Sequence, residues 1–139
     1  PTMATVIIGD THVDERGTLR FINDFDLKGV RRFYQVENHR VGFIRAWHGH
    51  RKEEKYMYVA AGAAFVGVVD ITTKKLETFT LSAEKPSVLH IPANTAHGFM
   101  NLSSDTRIIF FSTATLEESK KDDLRFPWDK WNIWEIKYR

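Results

Sequence analysis

Short segments rich in Val, Ile, Phe, Tyr and Thr, separated by isolated turn residues, constrain this chain more than any other feature. None runs beyond eight residues. Such segments suit the pleated, half-buried surface of a sheet better than a helix. Strands are expected at Thr5–Ile8, Thr18–Asn23, Arg32–Glu37, Phe43–Trp47, Lys55–Ala60, Ala63–Asp70, Leu76–Thr80, Ser87–Ile91, Gly98–Asn101 and Arg107–Thr113. Pro86, Pro92 and most glycines fall singly between them, as turn signals do. Only Thr115–Asp123 reads as a helix, with Thr115 as its cap and Glu117 and Glu118 in the first turn. The pattern predicts an all-β sandwich or barrel.

The 139 residues fit one domain spanning 1–139, with 42% hydrophobic and 27% charged residues, which sets aside disordered, collagenous and coiled-coil chains. No cysteine is present, so no disulfide framework or thiolate chemistry is available. Twenty basic against 18 acidic residues leave a formal charge of +2, and the basic pairs are scattered among acids, which argues against nucleic acid and anionic membranes as partners. The longest apolar runs fall far short of the roughly 20 residues of a membrane-spanning helix. The chain is expected in the cytoplasm, with Met3 as its initiator behind Pro1 and Thr2.

Chemistry concentrates in two places. In Ile44-Arg45-Ala46-Trp47-His48-Gly49-His50, residues two apart on a strand share a face, so His48 and His50 converge beside an Arg and a Trp. The chain has only six histidines, which makes the pair informative. The second stretch, Ile91 to Asn101, is a Pro/Asn turn leading to His97 and, four residues later, Asn101. The tail from Leu124 to Arg139 carries Trp128, Trp131, Trp134 and Tyr138. These rings either pack the tail onto a sheet or a dimer interface, or form a stacking wall for a planar ligand.

The two histidine segments resemble the paired signature motifs of the cupin superfamily. That resemblance implies a cupin-type jelly roll, a double-stranded β-helix, with both segments facing the barrel cavity and a short C-terminal helical segment. Counting back from Gly62, the position of the usual cupin glutamate falls on Lys55, and Glu54 would face the opposite side of the strand. An ammonium there opposes a divalent cation. His48, His50 and His97 could still form a three-His site for zinc or iron, and a bulge could return Glu54 to its place.

Lysine at that position, with the surrounding motifs, resembles the nucleotide-sugar 3,5-epimerases that act on dTDP-4-keto-6-deoxyglucose. Asp14-Glu15-Arg16-Gly17 is similar to the family's opening Asp-x-Arg-Gly, and Tyr34 to His39 to its Gln-Asp-Asn-His stretch with one extra residue. Ile44-Arg45-Ala46-Trp47-His48 resembles its Leu-Arg-Gly-Leu-His, and Lys55 to Asp70 its Gly-Lys strand pair. Ala96-His97-Gly98-Phe99 and the segment from Arg125 to Trp128 complete the likeness. It implies His48 as the catalytic base, Arg45, Lys55 and His97 as donors to the developing enolate, and Arg16 on the nucleotide diphosphate. Asn101 joins the substrate contacts, and no metal or organic cofactor is required. Arg45 and Lys55 could otherwise be solvated strand ends.

Two departures bear on the outcome. Phe110 stands where these epimerases carry a Tyr that acts as the acid on the far face of the sugar. The carboxylate that partners the base lies in a C-terminal extension absent here, leaving Glu54, Asp70 or Asp129 to orient His48. The stretch from Arg32 through Gly62 also resembles the shorter sugar-nucleotide 3,4-ketoisomerases, with Tyr34, Arg45, His48 and His50 in place. There, two histidines on one face would relay a proton between neighbouring carbons, making His50 and Tyr34 candidate proton carriers. The expected function is epimerisation of a nucleotide-linked 4-keto-6-deoxyhexose at carbon 3, carbon 5 or both, for polysaccharide or glycoconjugate synthesis. The alternative is 3,4-ketoisomerisation; a metal-dependent oxygenase using His48, His50, Glu54 and His97, or a non-catalytic sugar-binding cupin, represents another class. Both related groups imply a homodimer, with Thr5–Ile8 as the segment exchanged between subunits.

Overall fold

The computed structural model describes residues 4–139, so the reading of Met3 as an initiator lies outside the described residues. The strands are β1 (Thr5–Ile8), β2 (Asp10–Asp14), β3 (Gly17–Phe21), β4 (Arg32–Val36), β5 (Ile44–His50), β6 (Lys55–Ala61), β7 (Ala63–Asp70), β8 (Leu76–Ser82), β9 (Ser87–Ile91), β10 (Thr95–Asn101), β11 (Arg107–Ser112) and β12 (Leu124–Arg125). One helix, α1 (Leu116–Lys121), precedes β12. One five-stranded sheet runs β1-β9-β6-β11-β4 and the other β12-β5-β10-β7-β8, with every pairing antiparallel. This is the expected jelly roll. β2 and β3 pair only with each other, forming a separate hairpin. Among the described residues no helix is long and apolar enough to cross a membrane.

Alternation along the strands divides the apolar residues between two clusters. Met57, Val59, Ile108 and Phe110 of one sheet meet Val66, Val68 and Phe99 of the other in the barrel interior. Trp47, Val69, Ala96 and Met100 lie on the outer face of the second sheet, under Trp134. Trp47 meets Trp131 edge-on at 5.4 Å and Trp134 at 5.3 Å, and the indole N–H groups of Trp47 and Trp134 both donate to the Trp128 carbonyl. Trp131 and Trp134 thus pack the tail onto the sheet, Trp128 leaves its ring half exposed, and none of the tail rings lines the barrel cavity. Gly67 makes room for them: a Cβ there would stand 2.5 Å from Trp47.

The strand boundaries extend the expected ones at the site. β5 runs to His50, not Trp47, and β10 starts at Thr95, not Gly98, because these two strands pair with each other along the whole His-rich stretch. β2 was not expected; Asp10-Thr11-His12-Val13-Asp14 is too polar to signal a strand and gains its structure from the hairpin. Thr5–Ile8, the segment expected to be exchanged between subunits, pairs here with β9 of its own chain. α1 is shorter than the expected Thr115–Asp123, but Thr115 caps it. The Thr115 hydroxyl accepts from the Glu118 amide while the Glu118 carboxylate accepts from the Thr115 amide.

Candidate active site

Arg45 and His48 are three residues apart, which on a regular strand would send them to opposite faces. A bulge resolves this. Between His97, paired with His48, and Phe99, paired with Arg45, β5 advances one residue more than β10. Ala46 and Trp47 therefore both pack toward the tail cluster, while Arg45, His48 and His50 all line the cavity. Gly98 sits opposite the bulge, where a Cβ would come within 2.5 Å of the Ala46 Cβ.

The cavity encloses about 280 Å³. β4 contributes Tyr34, β6 Lys55, β10 His97 and β11 Phe110; α1 closes one side with Ser119 and Lys120, followed by Asp123 and Arg125. His97 is buried, and burial holds its imidazole well below the usual histidine range, with Lys55 acting in the same direction. His48 is lowered too, first by burial, then by Arg125 and Lys55, against an opposing pull from Asp123. Both rings are thus neutral near pH 7, the state in which an imidazole can take a proton.

His50 is the best-oriented of the three. Its Nδ1–H donates to the Asp122 carbonyl, which can only accept, so in the neutral ring Nε2 is the free acceptor. Nε2 is buried and has no hydrogen-bond partner. Lys55 presents its ammonium to two rings, 5.5 Å from the centre of Tyr34 and 5.8 Å from that of Phe110. It is buried at the cavity, not a solvated strand end.

Two expected substrate contacts lie elsewhere. Arg16 stands on the β2–β3 hairpin, exposed and paired with Asp14 at 2.6 Å, outside the cavity of its own chain. Asn101 is buried but committed to the fold: its amide donates to the Arg40 and Ser103 carbonyls, and its oxygen accepts from Asn38. Asn38 in turn accepts from Arg45 Nε at 2.6 Å, so Asn101 reaches the site only through Asn38. The carboxylates expected to orient His48 are likewise engaged or distant. Glu54 accepts from His90 at 2.6 Å, Asp70 caps the amides of Thr72 and Thr73, and Asp129 does not line the cavity. Glu54 therefore faces away from the cavity histidines, as the strand period requires. Among the described residues no three His, Asp or Glu side chains converge as metal ligands do.

Several cavity residues were not anticipated. Asp123 is the carboxylate that lines the cavity beside His48, and it pairs with Arg125 at 3.0 Å. β12 brings Arg125 directly opposite His48. Glu53 is wholly buried beneath the site, in contact with groups from β5, β6, β11 and α1. The signal for Glu53 was its place two residues before Lys55, on the same face; Arg125 stood in the resembling Arg125 to Trp128 segment without a role, and Asp123 carried no signal, because their approach depends on the turn after α1.

The family model for dTDP-4-dehydrorhamnose 3,5-epimerase matches residues 4–135. The chain is 27% identical to the spore coat polysaccharide biosynthesis protein SpsL of Bacillus subtilis, over 92% of each chain. In structure it is similar to the dTDP-4-dehydrorhamnose 3,5-epimerase of Bacillus anthracis, with a TM-score of 0.80 at 21% identity, covering 94% of this chain and 82% of that one. It is also similar to a 3,4-ketoisomerase from Helicobacter canadensis, with a TM-score of 0.70 at 19% identity over 88% and 90% of the two chains.

Proposed function

The chain belongs to the dTDP-4-dehydrorhamnose 3,5-epimerase family, and from that premise we propose that it isomerises a nucleotide-linked 4-keto-6-deoxyhexose by enolisation, without a cofactor. One observation carries this reading: neutral histidines and a buried ammonium converge on one cavity of about 280 Å³. A ketone at carbon 4 acidifies the hydrogens on carbons 3 and 5. An imidazole, His48 or His50, removes one of them, and the electron pair moves onto the ketone oxygen. Lys55, His97 and Arg45 are the donors for that oxygen. Reprotonation from the opposite face inverts the carbon, and Tyr34 is the phenol available for it.

The experiment is proton NMR of the protein with dTDP-4-keto-6-deoxyglucose in deuterated buffer. Deuterium at carbon 3 or 5, with the ketone still at carbon 4, supports epimerisation. No exchange with any 4-keto nucleotide sugar overturns the reading. Ketone migration to carbon 3 supports the second reading, 3,4-ketoisomerisation, which is favoured by Phe110 in the acid position and by two histidines on one face of β5.

The proposed assembly is a cytoplasmic homodimer. The β2–β3 hairpin has apolar Val13 and Leu19 exposed and holds Arg16 away from its own cavity. In a dimer it would carry Arg16 to the diphosphate bound by the other protomer. Through SpsL, the product is assigned to polysaccharide synthesis.

A further inference from the structure

Glu53 is a buried carboxyl group at the base of the cavity. Its side chain is fully shielded from solvent and accepts hydrogen bonds from Ser112 at 2.7 Å and Ser119 at 2.6 Å. Three potential cations surround it: Arg32 Nη2 at 3.9 Å from β4, His50 Nδ1 at 3.5 Å from β5 and Lys55 Nζ at 3.8 Å from β6. Its own amide donates to the Asp122 carboxylate, which also accepts from the Arg51 and Lys52 amides and so fixes the turn. A carboxylate placed so far from water is costly unless its partners compensate, and here each partner is a hydroxyl, a cation or an imidazole that becomes one on taking a proton. Two of the three, His50 and Lys55, face the cavity.

We propose that Glu53 is the positioning residue of the active site, holding the Lys55 ammonium against the cavity and stabilising the imidazolium that forms when His50 Nε2 takes a proton from the substrate. This rests on the isomerase reading above. In the step, the C–H bond breaks, its electron pair becomes the enolate, and the proton forms a new N–H bond at Nε2 while Nδ1–H stays on the Asp122 carbonyl. The imidazolium then stands beside Lys55 and Arg32, and without Glu53 three positive charges would share one pocket. His97 and His48, the other histidines of the cavity, are held neutral by burial, and its further charged groups are Arg45, Lys120, Arg125 and Asp123, with Tyr34 as its phenol. Asp123, paired with Arg125, lines the cavity but makes no contact with His50 or Lys55. The usual cupin glutamate position falls on Lys55, and the carboxylate beside it in the structure is Glu53, not Glu54.

The test compares Glu53→Gln and Glu53→Asp with the unaltered protein, using two readouts. Glutamine keeps the size and accepts from one serine but removes the charge; aspartate keeps the charge and withdraws it by one methylene. The first readout is acetylation of Lys55 by limiting acetic anhydride at pH 8, measured by peptide mass spectrometry against exposed Lys52 as internal standard. With its counter-charge gone, more of Lys55 is the free amine, so labelling rises about fivefold or more in Glu53→Gln and less in Glu53→Asp. The second is solvent deuterium exchange into the 4-keto sugar, where kcat falls about 10- to 100-fold in Glu53→Gln with KM within a factor of about three, and Glu53→Asp recovers part of the loss. Unchanged Lys55 labelling in both variants, or an unchanged exchange rate in a folded Glu53→Gln, overturns the proposal. If Glu53→Gln does not fold, Glu53→Asp decides by the same labelling comparison. Should the unaltered protein exchange no 4-keto sugar while the labelling difference stands, the substrate reading falls and the hold of Glu53 on Lys55 remains.

Discussion

Tyr34 stacks on Phe110 with ring centroids 5.3 Å apart and planes inclined by 20°, the two residues lying directly opposite each other on β4 and β11. The phenol is therefore alongside the ring from which the related epimerases' acid would come. If Tyr34 is the acid, Tyr34→Phe keeps base-catalysed exchange but loses inversion, by roughly 100-fold or more in epimer formation. NMR of the recovered sugar separates the two. Equal loss of exchange and inversion would show that Tyr34 only shapes the cavity.

Phe110→Tyr asks the converse. Phe110 is buried against Tyr34, His97 and Phe99, so the added hydroxyl costs about 1–3 kcal/mol of stability by overpacking. If one acid limits the unaltered protein to one carbon, the variant gains exchange at a second. Product stereochemistry at carbons 3 and 5 reads this directly, and no new exchange removes Phe110 as the determinant.

Burial of His97, and in lesser degree of His48, fixes the sign of the pH dependence. Folded His97 and His48 bind protons more weakly than the unfolded chain does, so stability is full above the ordinary histidine range. It is lost as pH falls through about 6.5, where the unfolded chain takes up protons first, and levels off once the folded rings protonate. The unfolding midpoint should drop between pH 7.5 and 5, and His97→Gln should flatten that drop. Calorimetry across the range tests it; equal slopes for the variant and the parent would contradict the assignment.

The hairpin position of Arg16 yields a prediction about assembly. Arg16→Ala and His48→Ala should each be inactive, and mixing them under subunit-exchange conditions should restore about a quarter of the activity per protomer if random pairing leaves one intact site in each mixed dimer. Sedimentation must show a dimer. A monomer, or no recovery on mixing, would place Arg16 outside the reaction.

The jelly roll and the inward histidine pair were legible because both depend on local alternation: β-branched and aromatic runs mark the strands, and residues two apart share a face. The same period placed Glu54 outside the cavity and Lys55 inside. What the sequence concealed is non-local. Asn101 follows the cupin spacing, yet its amide is consumed by Arg40 and Ser103, which only the folded loops bring near. Arg16 follows its motif, yet the hairpin carries it away from its own cavity. Asp123 and Arg125 reach His48 through the turn that follows α1, and no period encodes that turn.

Gly98 tests whether the β5 bulge, and not the strands themselves, sets the site. Its neighbours leave 2.5 Å to the Ala46 Cβ and 3.2 Å to the Arg45 carbonyl, so Gly98→Ala must move the backbone of β5. The bulge is what turns both Arg45 and His48 inward across a three-residue spacing. A shift there misplaces His48 and Arg45 together, while the interior cluster of Met57, Val66 and Ile108 stays packed. Gly98→Ala is expected to lower stability by about 1–3 kcal/mol and the exchange rate by about 100-fold, beyond what a loss of stability alone produces in a protein still folded. Gly67→Ala, which clashes with Trp47 and Ile133 on the outer face, is the control. It should cost comparable stability with a smaller effect on rate, because its disturbance lies on the tail side of the sheet. Similar rate losses in both variants would mean that the tail packing, and not the bulge, holds His48 in place.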